Sequence, residues 1–416
     1  MRYDVIVAGA GIVGVSIALH LQAAGRSVVM IDKHGKAGTG TSYGNAGLVE
    51  RASVIPYGFP QSVRELLRFG LNRSASVHYD PWFLSRIAPF LFSYWRHSTP
   101  RQLAKAAADL LPLIEASVRE HEFFFNDEPA AARLFRRSGW IKAYSDESEL
   151  QKAVSDAKLL SPYNLSWKFL DKAGLARTEP HLKNMAGAVH WLDPITASDP
   201  GAVTAAYADM FVARGGTFAA GDAAMMVAEN RGWEVRLSDG TRATADQAVI
   251  ALGPWSTDIL AAFGYRFPMQ VKRGYHMHYR LAENTYLNHP VLDATSGYML
   301  APMTKGVRLT TGVELAARDA RATPIQLSRA EKRARKILPL ADRIEPEAWI
   351  GSRPVFADMR PVIGPASRHP NLWLAFGHAH HGFTMGPATG RLLAEMMTSR
   401  SPSFDPKPYS PARFRA

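Results

Sequence analysis

Gly9, Gly11 and Gly14 form a G-x-G-x-x-G arrangement directly after the apolar run Val5-Ile6-Val7, and Asp32 closes a second apolar run, Val28 to Ile31. The order is strand, tight turn, helix, strand and acid, which suits an adenine dinucleotide. Gly9 and Gly11 let the backbone approach a pyrophosphate, and Gly14 lets helix pack on strand. The helix N-terminus, where Ile12 and Val13 lie, faces the negative charge. Asp32, followed by Lys33, is positioned to accept ribose hydroxyls, and its charge opposes a 2'-phosphate. In a chain with 32 glycines the pattern alone arises by chance. The helical run Ile12 to Ala24, its stop at Gly25 and an acid 18 positions past Gly14 make it specific.

At the other end of the chain His378, His380 and His381 sit on a glycine-flanked loop. No H-E-x-x-H helix and no acid at ligand spacing accompanies them, so no metal site is expected. His380 or His381 is expected to face a pocket rather than a metal. The absence of cysteine excludes a disulfide framework, a cysteine-ligated iron–sulfur cluster, a catalytic thiol and a cysteinyl cofactor link.

The elements that must position these residues are spread over 416 residues, more than one core accommodates, so two domains are expected. Residues 36 to 60 read as loop, and Gln61 to about Glu120 as helical. A strand is expected over Gly139 to Tyr144, with helices over Glu147 to Leu159 and Pro200 to Arg214. Trp233 to Leu237, the turn Asp239-Gly240 and a strand toward Ala245 read as a hairpin. Gln247 to Leu252 reads as a buried strand, 270 to 313 as strand-rich, and Ile325 to Leu340 as a helix. A strand over Asn371 to Phe376, a Gly/His loop through Met385 and a helix with Pro387 in its first turn return the chain to α/β character. The C-terminus therefore re-enters the first domain. The expected division is 1–60, 195–265 and 355–416 for the dinucleotide domain, with 61–194 and 266–354 for a substrate domain.

The net charge is +12, which favours anionic partners. No recognition helix, zinc finger or RNA-binding signature accompanies it, so nucleic acid is not an expected partner. The basic run Arg329, Lys332, Arg333, Arg335 and Lys336 reads as a solvated helix face. Between Pro81 and Trp95, Trp82, Phe83, Phe90, Phe92, Tyr94 and Trp95 alternate with Arg86, and basic residues outnumber acids from Gln61 to Lys105. An amphipathic element lying on a bilayer looks like this, and so does a helix pair covering a substrate domain. With no signal peptide or membrane-spanning run in view, a cytoplasmic location is expected, including association with the inner face of the cell membrane.

Four stretches in this order resemble the FAD-dependent D-amino acid dehydrogenase group, DAO-like flavoproteins related to glycine oxidase and D-amino acid oxidase. They are Asp4 to Asp32; Thr41-Ser42-Tyr43-Gly44-Asn45-Ala46-Gly47; Ala251-Leu252-Gly253-Pro254-Trp255-Ser256; and Gly351-Ser352-Arg353-Pro354 through Pro361-Val362-Ile363-Gly364, with Gly377 to Thr384 and Gly386 to Gly390 following. Lys272-Arg273-Gly274-Tyr275-His276 adds to them. The resemblance implies an α/β fold: a Rossmann-like FAD-binding domain of the glutathione-reductase type, with an inserted α+β substrate domain on an antiparallel or mixed sheet. It implies that the dinucleotide is FAD. The loop Thr41, Ser42, Asn45, Ala46, Gly47 and Leu48 would run beside the flavin, as would Gly253, Trp255, Gly382, Phe383 and Thr384. The helix start at Gly386-Pro387 would face its pyrimidine end, with a hydroxyl from Thr384 or Thr389.

The activity implied is oxidative deamination of a D-amino acid: hydride leaves the α-carbon for flavin N5, and water hydrolyses the imine to a 2-oxo acid. Electrons would pass to a quinone or another non-oxygen acceptor. The alternative is an oxidase or dehydrogenase of glycine, sarcosine or a cyclic imino acid such as D-proline or hydroxyproline. Such a site must clamp a carboxylate, and a guanidinium does so bidentately. Arg353 occupies the carboxylate-binding position of the resembled group. Tyr275 is the expected hydroxyl partner, Arg273 a second charge, and Tyr43 a wall of the pocket. Arg360 departs from the group's usual apolar residue and is expected close to the site or its supporting shell.

Overall fold

A computed structural model describes residues 1–230 and 232–414. The strand Arg2–Ala8 lies between Val28–Asp32 and Arg242–Ile250 and is parallel to both. Thr217–Glu229 extends the sheet beyond Val28–Asp32, and Leu372–Phe376 beyond Arg242–Ile250, again parallel. Val362–Pro365 closes one edge antiparallel. The strand Arg2–Ala8 is buried on both faces. Val5 and Val7 enter one apolar cluster, Ile6 and Ala8 another, which explains why it reads as an unbroken apolar run. The expected hairpin is present, with Trp233 opposite Ala245.

The second sheet is mixed, and Gln270–Leu281 is its hub. That strand pairs antiparallel with Gly306–Thr310, Val313–Leu315, Leu340–Arg343 and Trp349–Val355. A small third sheet joins Leu48–Val49 and Phe135–Arg136 to Ile195–Ala197. The chain thus builds an α/β Rossmann-like layer and an α+β layer on a mixed sheet.

Three expectations need correction. The helix Pro100–Phe125 falls in the stretch expected for the substrate domain, yet its Leu110, Leu113, Ile114 and Phe124 join the core of the first sheet. Its apolar face is covered by the helices on that sheet, so sequence position misleads. The basic run on the helix Ile325–Ile337 is not merely solvated. Arg329 donates to the carbonyls of Asn72 and Ser74, Arg333 to Ser296 Oγ, and Arg335 to Glu331.

The third concerns Pro387. The last helix runs Gly382–Met397, so Pro387 lies inside it and the helix N-terminus is at Gly382, not Gly386. An interior proline leaves the carbonyl four residues earlier without its N–H donor. Here that carbonyl, Phe383 O, receives a hydrogen bond from His121 Nε2 at 2.8 Å. Burial holds His121 neutral, with its pKa down to about 4. With Nε2–H donated to the carbonyl, Nδ1 stands 3.2 Å from the Tyr207 hydroxyl, which donates to His121 O. The imidazole replaces the helical bond that proline removes.

His121→Leu is therefore expected to destabilise the fold by about 1–3 kcal/mol, the cost of an unsatisfied buried carbonyl, read from the denaturant midpoint. Adding Pro387→Ala supplies an N–H to Phe383 O and should recover part of the loss. No recovery would remove this account of the histidine.

Candidate active site

A cavity of about 590 Å³ runs from Asp32 and the Gly9–Val13 turn, past the loop of residues 39 to 50, to Arg353 and His380. At its adenine end the turn is tight: Gly9 has φ +110°, and a Cβ on Gly14 would stand 1.9 Å from Gly9 O. Only glycine allows both. Ser42 Oγ accepts from Ile12 N at 3.0 Å and so binds the flavin-side loop to the start of the first helix. Asp32 accepts from Ala10 N and His34 N, which fixes its carboxylate at the strand end. Helix start, fixed acid and continuous cavity fit an extended dinucleotide.

Of the residues expected at the cofactor, Gly9, Gly11, Ile12, Val13, Asp32, Thr41, Ser42, Asn45, Ala46, Leu48, Gly253, Trp255, Gly382, Phe383 and Thr384 line the cavity. Gly14, Lys33 and Gly47 do not. Gly14 serves packing, Lys33 pairs with Asp222 at 3.3 Å, and a Cβ on Gly47 would meet Ala197 O at 2.2 Å. The Thr384 hydroxyl is committed to the loop: it donates to Leu48 O and accepts from Glu50 N, both at 3.1 Å. Thr389 Oγ1 is paired with His378 Nε2 at 3.0 Å. Neither hydroxyl is free for a flavin carbonyl. The helix start at Gly382 to Thr384 lines the cavity.

The substrate end is set by strand register. Lys272 lies opposite Arg353, Gly274 opposite Gly351, and His276 opposite Trp349. Directly opposed residues share a face, so Lys272, Gly274, His276, Trp349, Gly351 and Arg353 form one face. Arg353 crosses over Gly274, where a Cβ would come within 2.6 Å of Nη2. Its Nη1 donates to Gly312 O at 2.8 Å and Nη2 to Thr311 O at 3.2 Å. Burial alone lowers its pKa to about 10. Among the described residues no carboxylate pairs with it.

Tyr275 is among the residues lining the cavity, but strand alternation turns its side chain, with that of Arg273, to the opposite face. The Tyr275 hydroxyl donates to Glu314 Oε2 at 2.8 Å and accepts from Thr323 N and Arg273 Nη2. Arg273 is ion-paired with Glu314 at 2.9 Å. This closed network corrects the expectation that Tyr275 offers its hydroxyl, and Arg273 its charge, to a substrate. Tyr43 is also corrected, because it is not a cavity wall. Its ring faces His276 and Trp349, with the Arg308 guanidinium 5.4 Å from its centre. Arg360 lies outside the cavity, paired with Asp109 at 2.6 Å.

His380 and His381 both line the cavity, their rings 3.9 Å apart. Burial pushes His381 down to about 4 and His380 well below its ordinary value. Both are neutral at pH 7.

Three residues of the cavity were not among the expected site residues, although Lys272 belongs to a stretch that carries the resemblance. Lys272 Nζ donates to Tyr94 Oη at 2.6 Å, and burial, with Arg353 nearby, lowers its pKa to about 7. Glu50 Oε1 accepts from Ala52 N, Ser53 N and Trp140 Nε1. Burial outweighs those donors and raises Glu50 to about 7. Trp349 lies over Gly44 and Gly351, where a Cβ would come within 1.9 and 2.1 Å of its indole. The legible trace of Glu50 was an acid directly after the apolar pair Leu48-Val49.

The chain matches the FAD dependent oxidoreductase family, DAO, over residues 4–396. A D-amino acid dehydrogenase of Chromohalobacter salexigens is 26% identical, with 99% of this chain and 100% of the relative covered. A D-amino-acid oxidase of Bradyrhizobium diazoefficiens is 26% identical, with 99% and 98% covered. Among solved structures, glycine oxidase from Geobacillus kaustophilus shares the fold with a TM-score of 0.75 at 20% identity, over 100% of both chains. Set beside the glycine turn, the fixed Asp32 and the long cavity, the match over most of the length settles the family and its cofactor: the chain belongs to the DAO family of FAD-dependent oxidoreductases.

Proposed function

We propose that this protein oxidises the amine of a D-amino acid, releasing an imine that water hydrolyses to a 2-oxo acid and ammonium, with the electrons going to a quinone or similar acceptor. The observation that carries the reading is Arg353, a half-buried guanidinium with no carboxylate partner among the described residues, lining the same cavity as the dinucleotide turn. The names of the curated relatives, D-amino acid dehydrogenase and oxidase, support the substrate class. FAD, when bound, would supply the acceptor for the α-hydride, which carries both electrons of the oxidation. What the chain must supply is orientation and a proton acceptor.

Arg353 orients the substrate. A carboxylate on its fork fixes the α-carbon, so the α-hydrogen points along one direction only. Glu50 serves as the base, its Oε2 taking a proton from the substrate ammonium so that the amine lone pair is free when the hydride departs. Its pKa of about 7 suits that exchange. His380 and His381, neutral and buried, add no charge against the ammonium group.

The acceptor is reached at a bilayer. The helix Val63–Gly70 buries none of its residues, although Val63, Leu66 and Leu67 form an apolar stripe that continues to Leu71. Val63, Leu67, Leu71, Trp82 and Phe92 are 71, 67, 66, 84 and 59% exposed. Arg64, Arg68, Arg73, Arg86 and Arg96 surround them, all exposed. Apolar side chains ringed by arginines suit an anionic phospholipid surface. Among the described residues no helix is long and apolar enough to cross a membrane.

Four outcomes test the reading. Anaerobic mixing with paired enantiomers should bleach the flavin with D-amino acids, and reduction by L-enantiomers alone would sink it. Arg353→Met should weaken substrate binding by about 2–5 kcal/mol, seen in the same titration. The rate of flavin reduction should rise through about pH 7 as Glu50 ionises, because only the carboxylate accepts a proton. Glu50→Gln should lose that rise and slow reduction by about 10²-fold or more; an unchanged profile would remove Glu50 as the base. Finally, vesicles containing anionic phospholipid should sediment the protein at low salt and release a Leu67→Ser/Trp82→Ser variant. Equal sedimentation of both proteins would argue against this surface.

A further inference from the structure

Several cations packed into this protein are neutralised by a carboxylate. Arg273 has Glu314 at 2.9 Å, Arg360 has Asp109 at 2.6 Å, and Arg413 has Asp358 at 2.8 Å. Among the described residues Lys272 and Arg353 have no carboxylate within ion-pair distance; the same holds for Arg308, but that guanidinium lies outside the cavity and is bonded to His278 Nε2, Tyr43 O and Asn45 O, whereas Lys272 and Arg353 line it. Lys142, which also lines the cavity, has the charge of Asp156 near it. An unpaired charge drawn partly out of water is costly, and here two half-buried ones share one face of one strand pair.

Their surroundings are arranged for a ligand. Gly274 leaves the bed in which the Arg353 guanidinium lies. Lys272 stands two residues along the same strand, a separation of roughly 7 Å. Its ammonium group has three donors, and the hydrogen bond formed goes to Tyr94 Oη, which itself donates to Tyr57 O. It also lies 4.1 Å from the centre of the Tyr94 ring. The ring and hydroxyl hold the lysine in the cavity without neutralising it.

We infer that Lys272 forms a second anion subsite beside Arg353, which takes the side-chain carboxylate of an acidic D-amino acid while Arg353 takes the α-carboxylate. The inference rests on the D-amino acid reading above and narrows it to substrates with two carboxylates. One carboxylate on each cation leaves the amine between them and restores charge balance to the face. A neutral side chain leaves Lys272 unpaired, so discrimination arises from the penalty on the unfilled subsite as much as from the bond formed.

The test separates this inference from the reading beneath it. With holoenzyme, calorimetric titration of glutarate and of its monoamide, glutaramate, reads the second subsite without any turnover. Glutarate should bind about tenfold or more tightly than glutaramate. Lys272→Met should bring the two within about twofold, and Lys272→Arg should preserve the preference. Equal binding of the two ligands by the wild-type protein, or an undiminished preference in Lys272→Met, would overturn the subsite. If the Met variant does not fold, the wild-type ratio and the Arg variant decide. In parallel, D-glutamine and D-glutamate are mixed anaerobically with the enzyme. Bleaching by both at equal efficiency overturns the subsite but leaves the D-amino acid reading standing, whereas bleaching by neither overturns the reading and the inference together.

Discussion

The antiparallel register between Gln270–Leu281 and Trp349–Val355 decides what this cavity is. With Lys272 opposite Arg353 and His276 opposite Trp349, one face carries an unpaired cationic pair and an indole wall. The other carries the Glu314 network that consumes Arg273 and Tyr275. A slip of one residue exchanges the two faces of a strand. It would offer the cavity a neutralised arginine and a tyrosine while burying a lysine with nothing to pair. The Glu314 network stabilises the observed register from behind, because it satisfies Arg273 only on that side.

The same register explains which parts of the site were legible in the sequence. The dinucleotide turn was readable because glycine spacing, strand, helix and acid lie within the first 32 residues, and each is a local requirement. Arg353 was reachable through its resemblance to a family position. Tyr275 and Lys272 were not separable. A strand with one wet face announces its sides by alternating polarity, but Gln270–Leu281 is covered on both, with residues 273 to 279 all buried. Tyrosine, arginine, lysine and histidine occur on it without a pattern to say which look inward. The side was fixed by a partner strand some 80 residues away.

Pro387 shows a similar limit at a helix. Locally, a proline ahead of a helical run marks its first turn. The helix nevertheless starts five residues earlier, because His121, on a helix far back in the chain, satisfies the carbonyl that proline leaves open. This shift matters at the cofactor. It moves the free N–H groups from Gly386 to Gly382–Thr384, directly after His380 and His381, so the imidazoles and the helix terminus meet the cavity together. Tyr43 and Arg360 were misjudged for a related reason: nearness in sequence to a cofactor loop does not say which way a side chain leaves the backbone.

The helix Ala88–His97 ties the outer surface to this inner face. Phe90 and Tyr94 turn inward, 8 and 4% exposed, whereas Phe92 and Trp95 turn outward at 59 and 41%. Tyr94 is the residue that holds Lys272. One short helix thus presents apolar side chains to the exterior and the lysine's partner to the cavity. Its position is fixed from inside by the contact of Tyr94 with Phe59 and by the bond from its hydroxyl to Tyr57 O. A rotation of the helix that buried Phe92 would withdraw Tyr94 from Lys272. Removing that hydroxyl and ring would leave a cation with even less compensation, so its demand for an anionic ligand would rise. The aromatic stretch is part of the electrostatics of the site, whatever surface its outer side meets.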